Sequence, residues 1–360
     1  MIDDFESPLV SEASLCIAGM HRSGTSMVTR LLKDCGLFLG DEEELTGPAL
    51  DNPEGFWENK NFVELNEEIL ARFGASWSHP QSLSPRWEFD PVVEPLLVRA
   101  GELVARFSQQ RHWGWKDPRN SLTIAFWRRI IPSLKFVVCI RNPIEVAHSL
   151  FVRGDTTGAS QFELWLHYYQ QILSVGPPSS RIITHYQSYF EDPREEVGRL
   201  TSWLGLNVSN EALERACAGV SGALRHHHMT TSSLREANVP DEVVDLYLRL
   251  CEEAGPVCQR LLKREIETTY SPTNDAYALQ LMRLENQMAK DRERISQLEL
   301  RCASLEVNCD EQLRHLELQY TRLDARSHEV RASILPVMRA LDALRALRNW
   351  LRSIGGGGSS

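Results

Sequence analysis

One stretch constrains this chain more than any other: Leu15 to Gly40, LCIAGMHRSGTSMVTRLLKDCGLFLG. Leu15-Cys16-Ile17-Ala18 is a short apolar run without helical period, which predicts a buried parallel strand. Gly19 to Gly24 is a glycine-bounded turn. From Thr25 onward Met27, Val28, Leu31, Leu32 and Cys35 recur at helical spacing, and Gly36 stops the run. Strand, glycine turn and helix in direct succession make an anion-binding unit. The backbone N–H groups of the turn and the positive end of the helix dipole point at the same place. The expected fold is a P-loop-type α/β domain, a doubly wound, mainly parallel sheet flanked by helices, over about residues 12–268.

Nucleoside-triphosphate loops read G-x-x-x-x-G-K-[ST]. Here Gly19-Met20-His21-Arg22-Ser23-Gly24-Thr25-Ser26 carries Thr25 where that lysine belongs. The loop is equipped to grip a phosphate but poorly built for phosphoryl transfer. Its cation is Arg22, before the second glycine, and two hydroxyls follow. This pattern resembles the 5′-phosphosulfate loop of sulfotransferases that use 3′-phosphoadenosine-5′-phosphosulfate (PAPS), most of all the bacterial members. The resemblance implies that His21, Arg22, Ser23, Gly24, Thr25 and Ser26 hold the 5′ end of the donor, with PAPS as co-substrate and no metal.

A second motif follows in the expected order. Leu134 to Ile140, LKFVVCI, is continuous, β-branched and strand-like. Arg141 comes at its tip, Pro143 suits a first helical turn, and Ser149 lies eight residues after Arg141. This resembles the 3′-phosphate motif of the same enzymes, which implies that Arg141 and Ser149 bind that phosphate. A third strand, Arg181 to Tyr186, leads to Asp192-Pro193, a helix and Trp203-Leu-Gly. By resemblance Tyr186 lies near the adenine, although Gln187 stands where an acid is common. Arg225, beside His226-His227-His228, matches a basic segment that closes over the 3′-phosphate. The aromatics Phe162, Trp165, Tyr168 and Tyr169 fall at helical spacing and are assigned to packing.

The candidate catalytic residues come from the segments between. Asn52-Pro-Glu-Gly-Phe-Trp-Glu58 resembles a bacterial sulfotransferase signature. Its two aromatics are placed to desolvate Glu58, which would raise its pKa toward the range of a base. Glu43 lies 21 residues after Arg22, close to where tyrosylprotein-type sulfotransferases place a catalytic Glu, but inside an acidic run. His112 to Lys116 predicts a strand that ends at Lys116-Asp117-Pro118-Arg119, with Asn120 or Ser121 capping the next helix. Lys116 is expected to add electrophilic support. Asp117, between two cations, is expected to have a low pKa and make a weak base. His21 is a fourth option for the base. Trp57, Trp77 and Trp87 lie in loops where they could stack on sugar faces, so the expected acceptor is a glycan hydroxyl, with peptide tyrosine or lipid as alternatives. Asp241 to Leu262 predicts one closing amphipathic helix.

Composition narrows the setting. A net charge of −10 disfavours a nucleic-acid partner. Eight cysteines without C-x-x-C spacing indicate neither a zinc site nor a disulfide framework, and reduced thiols suit the cytoplasm. The acidic first residues do not read as a signal peptide, and no apolar run reaches about 18 residues. Beyond Tyr270, Leu281, Met288, Ile295, Cys302, Cys309, Leu316 and Leu323 recur every seven residues. The expected organisation is a PAPS-binding domain over 1–270 and a coiled coil over 271–330 that forms a homodimer. A break at Pro336, an amphipathic helix within 331–354 and a tail over 355–360 follow. The basic face of 337–354 could meet an anionic membrane or a protein partner. Two other readings are a P-loop small-molecule kinase and a non-catalytic nucleotide-binding scaffold.

Overall fold

A computed structural model describes residues 13–49, 52, 55–154, 161–220, 229–267 and 273–355. Arg225 and the neighbouring histidines lie outside the described residues. The chain divides into two units, 1–289 and 290–360.

The first unit is built on four parallel strands, β1 (Ala13–Ala18), β2 (His112–Lys116), β3 (Lys135–Ile140) and β4 (Arg181–His185), in the order β2-β1-β3-β4. Ile17 pairs with Lys116, Ala18 with Val138 and Ile140 with His185. The chain passes from β1 to one neighbour and then back across it to the other, so the order reverses at β1. Ligands of open α/β sheets bind at such a reversal, outside the carboxyl ends of the strands.

The strands alternate between two cores because successive side chains point to opposite faces. Cys16, Ala18, Phe136, Val138 and Ile140 join one cluster with Phe62, Trp113, Trp115 and Trp127. Leu15, Ile17, Val137 and Cys139 join another with Val28, Leu31, Leu32, Val197 and Leu200. The helices that cover these faces are α1 (Thr25–Asp34), α2 (Lys60–Arg72), α3 (Glu94–Phe107), α4 (Asn120–Ile130), α5 (Pro143–Arg153), α6 (Gln161–Ser174), α7 (Ser188–Glu191), α8 (Pro193–Leu204), α9 (Asn210–Ala218), α10 (Thr231–Glu236), α11 (Asp241–Glu253) and α12 (Pro256–Glu267). Trp87, expected as a loop platform, is 7% exposed and packs edge-on against Phe73.

Three local expectations are corrected. The single closing helix is two, α11 and α12, because Gly255 adopts φ 91 before Pro256. A proline at the first helical position starts a helix more readily than it continues one. The cap of α4 is Arg119, without a side-chain bond. Asn120 instead donates to the Ile17 carbonyl (3.2 Å) and accepts from Trp115 Nε1 (2.9 Å), tying β1, β2 and α4 together. Finally, α13 (Thr273–Gly355) passes through Pro336 without a break. The proline removes one i→i−4 bond, while the Ala, Leu, Met and Arg residues around it are strong helix formers. The boundary between the two units falls inside α13. Among the described residues no helix is long and apolar enough to cross a membrane.

Candidate active site at the carboxyl ends of the sheet

Each strand delivers one of the residues singled out by sequence. The loop from Gly19 to Gly24 follows β1, Lys116 ends β2, Arg141 follows β3 and Tyr186 follows β4. The loop is held from outside. Gly19 N–H donates to Ser121 Oγ at 3.0 Å and Met20 N–H to Tyr169 Oη at 3.3 Å. The Tyr169 hydroxyl donates to the Cys139 carbonyl at 2.7 Å and lies 3.0 Å from Ser23 Oγ. Ser23 N–H closes back on the Met20 carbonyl at 3.2 Å. Three amides expected to face an anion are thus committed within the protein. The amides that open α1, at Thr25, Ser26 and Met27, have no intrahelical acceptor, which is the arrangement that can take an anion.

Two glycines of the loop are required by space and backbone. A Cβ on Gly19, at φ 140, would stand 2.3 Å from the Cys139 carbonyl oxygen, and one on Gly24, at φ 85, would stand 2.5 Å from Tyr186 Cδ2. The Tyr186 ring therefore closes directly on the loop. Arg141 lies over its face, 4.4 Å from the centroid.

Arg22 has φ 68, in the left-handed region. This turns its side chain toward α5, where Nε donates to Ser149 Oγ at 2.8 Å. Arg141 in turn donates to the Arg22 carbonyl at 3.2 Å. The residues read as separate 5′ and 3′ motifs are therefore interlocked. Behind them Glu145, 1% exposed, accepts from Arg141 Nε (2.7 Å), Met229 N–H (2.9 Å) and Gln187 Nε2 (3.3 Å). Glu145 was not singled out from sequence. Its position four residues after Arg141 on a helix was the available signal. Gln187, the departure from the family pattern, donates to this carboxylate.

On the other side of the loop Lys116, 1% exposed, has its ammonium 2.7 Å from Glu58 Oε1 and 5.8 Å from the centroid of Phe56. Glu58 is positioned through its backbone. Its carbonyl accepts from Thr46 N–H at 2.8 Å, and its N–H donates to Thr46 Oγ1 at 3.0 Å. Its carboxyl group faces the buried Lys116 ammonium, a partner the sequence did not indicate. Asn52 donates to the Gly55 carbonyl at 2.6 Å and reaches Ser26 Oγ at 3.4 Å, so this turn touches the first turn of α1. Pro53 and Glu54 lie outside the described residues.

Glu43 is exposed on a short 3-10 turn over Glu42–Glu44. Its neighbours are engaged: Glu42 with Lys33 at 3.4 Å, and Glu44 with Arg106 at 2.9 Å and Asn59 at 3.0 Å. His79 is also exposed, 3.0 Å from Ser78 Oγ.

Asp117 corrects an expectation. It is fully buried and accepts from Asn66 Nδ2 at 2.8 Å and from Arg119 N–H and guanidinium at 2.9 and 3.0 Å. Its carboxyl is pushed up, not down, because burial outweighs the neighbouring Arg119 and the Glu58 carboxylate adds to the rise. Arg119 is drawn away toward Asp117 and Glu67.

His21 is tilted against Trp77, centroids 4.6 Å apart, and Tyr168 meets it edge-on at 6.0 Å. Its Nε2 is buried without a hydrogen-bond partner. Burial and then the cations Arg119, Lys116, Arg153 and Arg22 hold its pKa well below the ordinary value, so the ring is neutral. The unfolded chain takes up this proton at about pH 6.5, the folded chain only well below that. Stability from this group is full above about pH 6.5 and declines as pH falls toward the folded pKa. Denaturant midpoints should fall between pH 7.5 and 5.5, and His21→Gln should flatten that fall; an unchanged slope in the variant refutes the assignment.

The described residues contain one cluster of soft metal-ligand side chains, His185, Cys251 and Cys258, all buried. His185 Nδ1 accepts from Gln187 N–H at 3.1 Å, so Nε2 carries the ring proton and donates to Tyr247 Oη at 2.9 Å. Neither nitrogen has a lone pair to offer.

The sequence model described as Sulfotransferase family matches residues 14–210, from β1 to the start of α9. The chain belongs to the sulfotransferase family. Family membership covers the whole sheet and every described site residue. A Caenorhabditis briggsae protein named, by inference, a protein-tyrosine sulfotransferase is 26% identical over 233 residues, 60% of this chain and 70% of that one. Among solved structures, a Mycobacterium tuberculosis sulfotransferase aligns at 15% identity and a TM-score of 0.36, covering 63% of this chain and 76% of its own. A mouse sulfotransferase complexed with PAP aligns at 12% identity and a TM-score of 0.31, covering 78% and 89%. The chain is accordingly a sulfotransferase enzyme.

Proposed function

We propose that the enzyme moves a sulfuryl group from PAPS to an acceptor hydroxyl, with Glu58 as the base. The observation that carries this reading is the Glu58–Lys116 pair at the carboxyl end of β2, the strand beside β1. A carboxyl group fixed through its backbone and held by one oxygen keeps the other oxygen to accept the acceptor's proton. Lys116 is assigned the stabilisation of charge that develops on the leaving phosphate, a role that a buried ammonium supports. The residues fit the donor. Arg22 and the start of α1 with Thr25 and Ser26 suit a 5′-phosphate, Arg141 and Ser149 suit a 3′-phosphate, with the Arg22–Ser149 hydrogen bond joining the two groups, and the Tyr186 ring suits a base. Glu43, exposed on its turn, is the second choice for the base. Thr25 in place of a P-loop lysine argues against a kinase.

For the acceptor, the glycan reading loses Trp87 to the core and retains Trp57 and Trp77. A tyrosyl hydroxyl is the better candidate. The C. briggsae relative carries that name, and His21, Trp77 and Tyr168 form an aromatic wall beside the loop. Transfer of labelled sulfate from PAPS to a tyrosine peptide and to a glycan panel decides between them. Titration with 3′,5′-ADP, ATP and GTP separates all the readings. A sulfotransferase prefers 3′,5′-ADP, a kinase ATP or GTP, and a non-catalytic scaffold binds without transferring sulfate.

Arg141→Ala should weaken 3′,5′-ADP binding by about 2–3 kcal/mol, the worth of a charge-assisted hydrogen bond. Adenosine-5′-phosphosulfate, which lacks the 3′-phosphate, should be almost unaffected. Equal losses for the two ligands would show that Arg141 acts on the loop, not on the 3′-phosphate.

A further inference from the structure

The second unit consists of helix α13 from Lys290 onward, and its described side chains are exposed. Along it Ile295, Cys302, Cys309, Leu316, Leu323, Val330, Val337 and Leu344 stand seven residues apart without interruption. Because the helix does not stop at Pro336, the column runs past the proline. Pro336 itself lies beside the column and leaves it intact. The described apolar members are open to solvent, with Ile295 at 54%, Leu316 at 60%, Val330 at 51%, Val337 at 58% and Leu344 at 62% exposure.

Spacing of seven has a consequence for geometry. On a straight α-helix a seven-residue column drifts by about 20° per heptad. Seven heptads would carry it about 140° around the cylinder. The eight positions form one face only if the helix supercoils around a partner, left-handed. Charge selects the partner. On one flank stand Arg294, Arg301 and Arg322, and on the other Glu299 and Glu306. In a parallel pair of identical helices each flank faces the opposite flank of the partner, so Arg294 meets Glu299 and Arg301 meets Glu306 of the second copy. In an antiparallel pair each flank faces its own kind and sets arginine against arginine.

We infer that residues 295–344 form the seam of a parallel, in-register coiled coil with a second copy of this chain. Ile295, Leu298 and Leu305 make its firmest section, and Val330 to Leu344 continue it past Pro336. Gln312 and Gln319, on the column's companion positions, weaken the middle and penalise slipped registers. Arg326 there opposes its own copy, a local cost. Val337 and Leu344 are assigned to this seam in place of a membrane surface. The inference does not depend on the reading of the active site. It has one specific corollary: Cys302 faces Cys302 of the partner, and Cys309 faces Cys309.

Sedimentation velocity of the full chain at tens of micromolar should give a two-chain species. The double variant Leu298→Glu, Leu305→Glu should sediment as one chain with its helix content unchanged by circular dichroism. Treatment with diamide tests orientation. In Cys309→Ser the two Cys302 thiols should couple, giving two electrons and two protons to the diamide and forming one interchain S–S bond. The cross-linked species should vanish in Cys302→Ser, Cys309→Ser. A single-chain full-length species overturns the seam. A two-chain species without Cys302 coupling overturns the parallel register.

Discussion

Glu58→Gln is expected to lower turnover by about 10²–10⁴-fold, the usual contribution of a positioned general base, while 3′,5′-ADP affinity hardly changes. The side chain keeps its shape and an oxygen for the Lys116 ammonium, 2.7 Å away in the native pair, but loses the ability to take a proton. Lys116 is 1% exposed, so the variant also leaves a buried cation with a neutral partner. Thermal unfolding must accompany the kinetics, to separate lost chemistry from lost enzyme. Glu43→Gln serves as the comparison and should keep near-normal turnover, because its side chain is exposed on the 3-10 turn. If Glu43→Gln abolishes turnover and Glu58→Gln does not, the two residues exchange roles.

Glu145→Ala is expected to destabilise the fold by about 3–5 kcal/mol, the cost of removing one member of a buried ion pair. Glu145 is 1% exposed and receives Arg141, Gln187 and the Met229 amide. Its loss strands all three donors and frees Arg141, which is stacked on Tyr186 and bonded to the Arg22 carbonyl. Binding of 3′,5′-ADP should therefore weaken as well, although Glu145 belongs to no motif. Glu145→Gln should restore the Met229 contact but not the charge, and fall between the two. A destabilisation below about 1 kcal/mol with unchanged affinity, measured by denaturant titration and calorimetry, would show that the network does not hold Arg141 in place.

Much of the site was legible because it is local. A strand, a glycine turn and a helix declare themselves by composition and period, and Arg22, Thr25 and Ser26 then have few places to go. Arg141 and Ser149 were legible for the same reason. Errors arose where distant segments converge. Tyr169 reads as a packing aromatic from its helical spacing, and it is buried; its hydroxyl nevertheless reaches the loop, from 149 residues away at Met20. Asp117 reads as an acid between two cations, yet full burial reverses the direction of its shift. Trp87 reads as a platform because loops are usually exposed, but it fills space beside Phe73.

By itself the sequence determined the identity and order of the strand–helix units, and hence the family, because hydrophobic period and glycine placement act over a few residues. The seven-residue column in α13 belongs to the same class of information. Only the tertiary structure decided which residues meet. The order β2-β1-β3-β4 sets the tips of all four strands along one edge. That places Lys116 against Glu58, 58 residues apart, and Arg22 against Ser149, 127 apart. The physical reason is that burial and charge depend on what packs nearby, and neighbours in space are chosen by the sheet, not by distance along the chain.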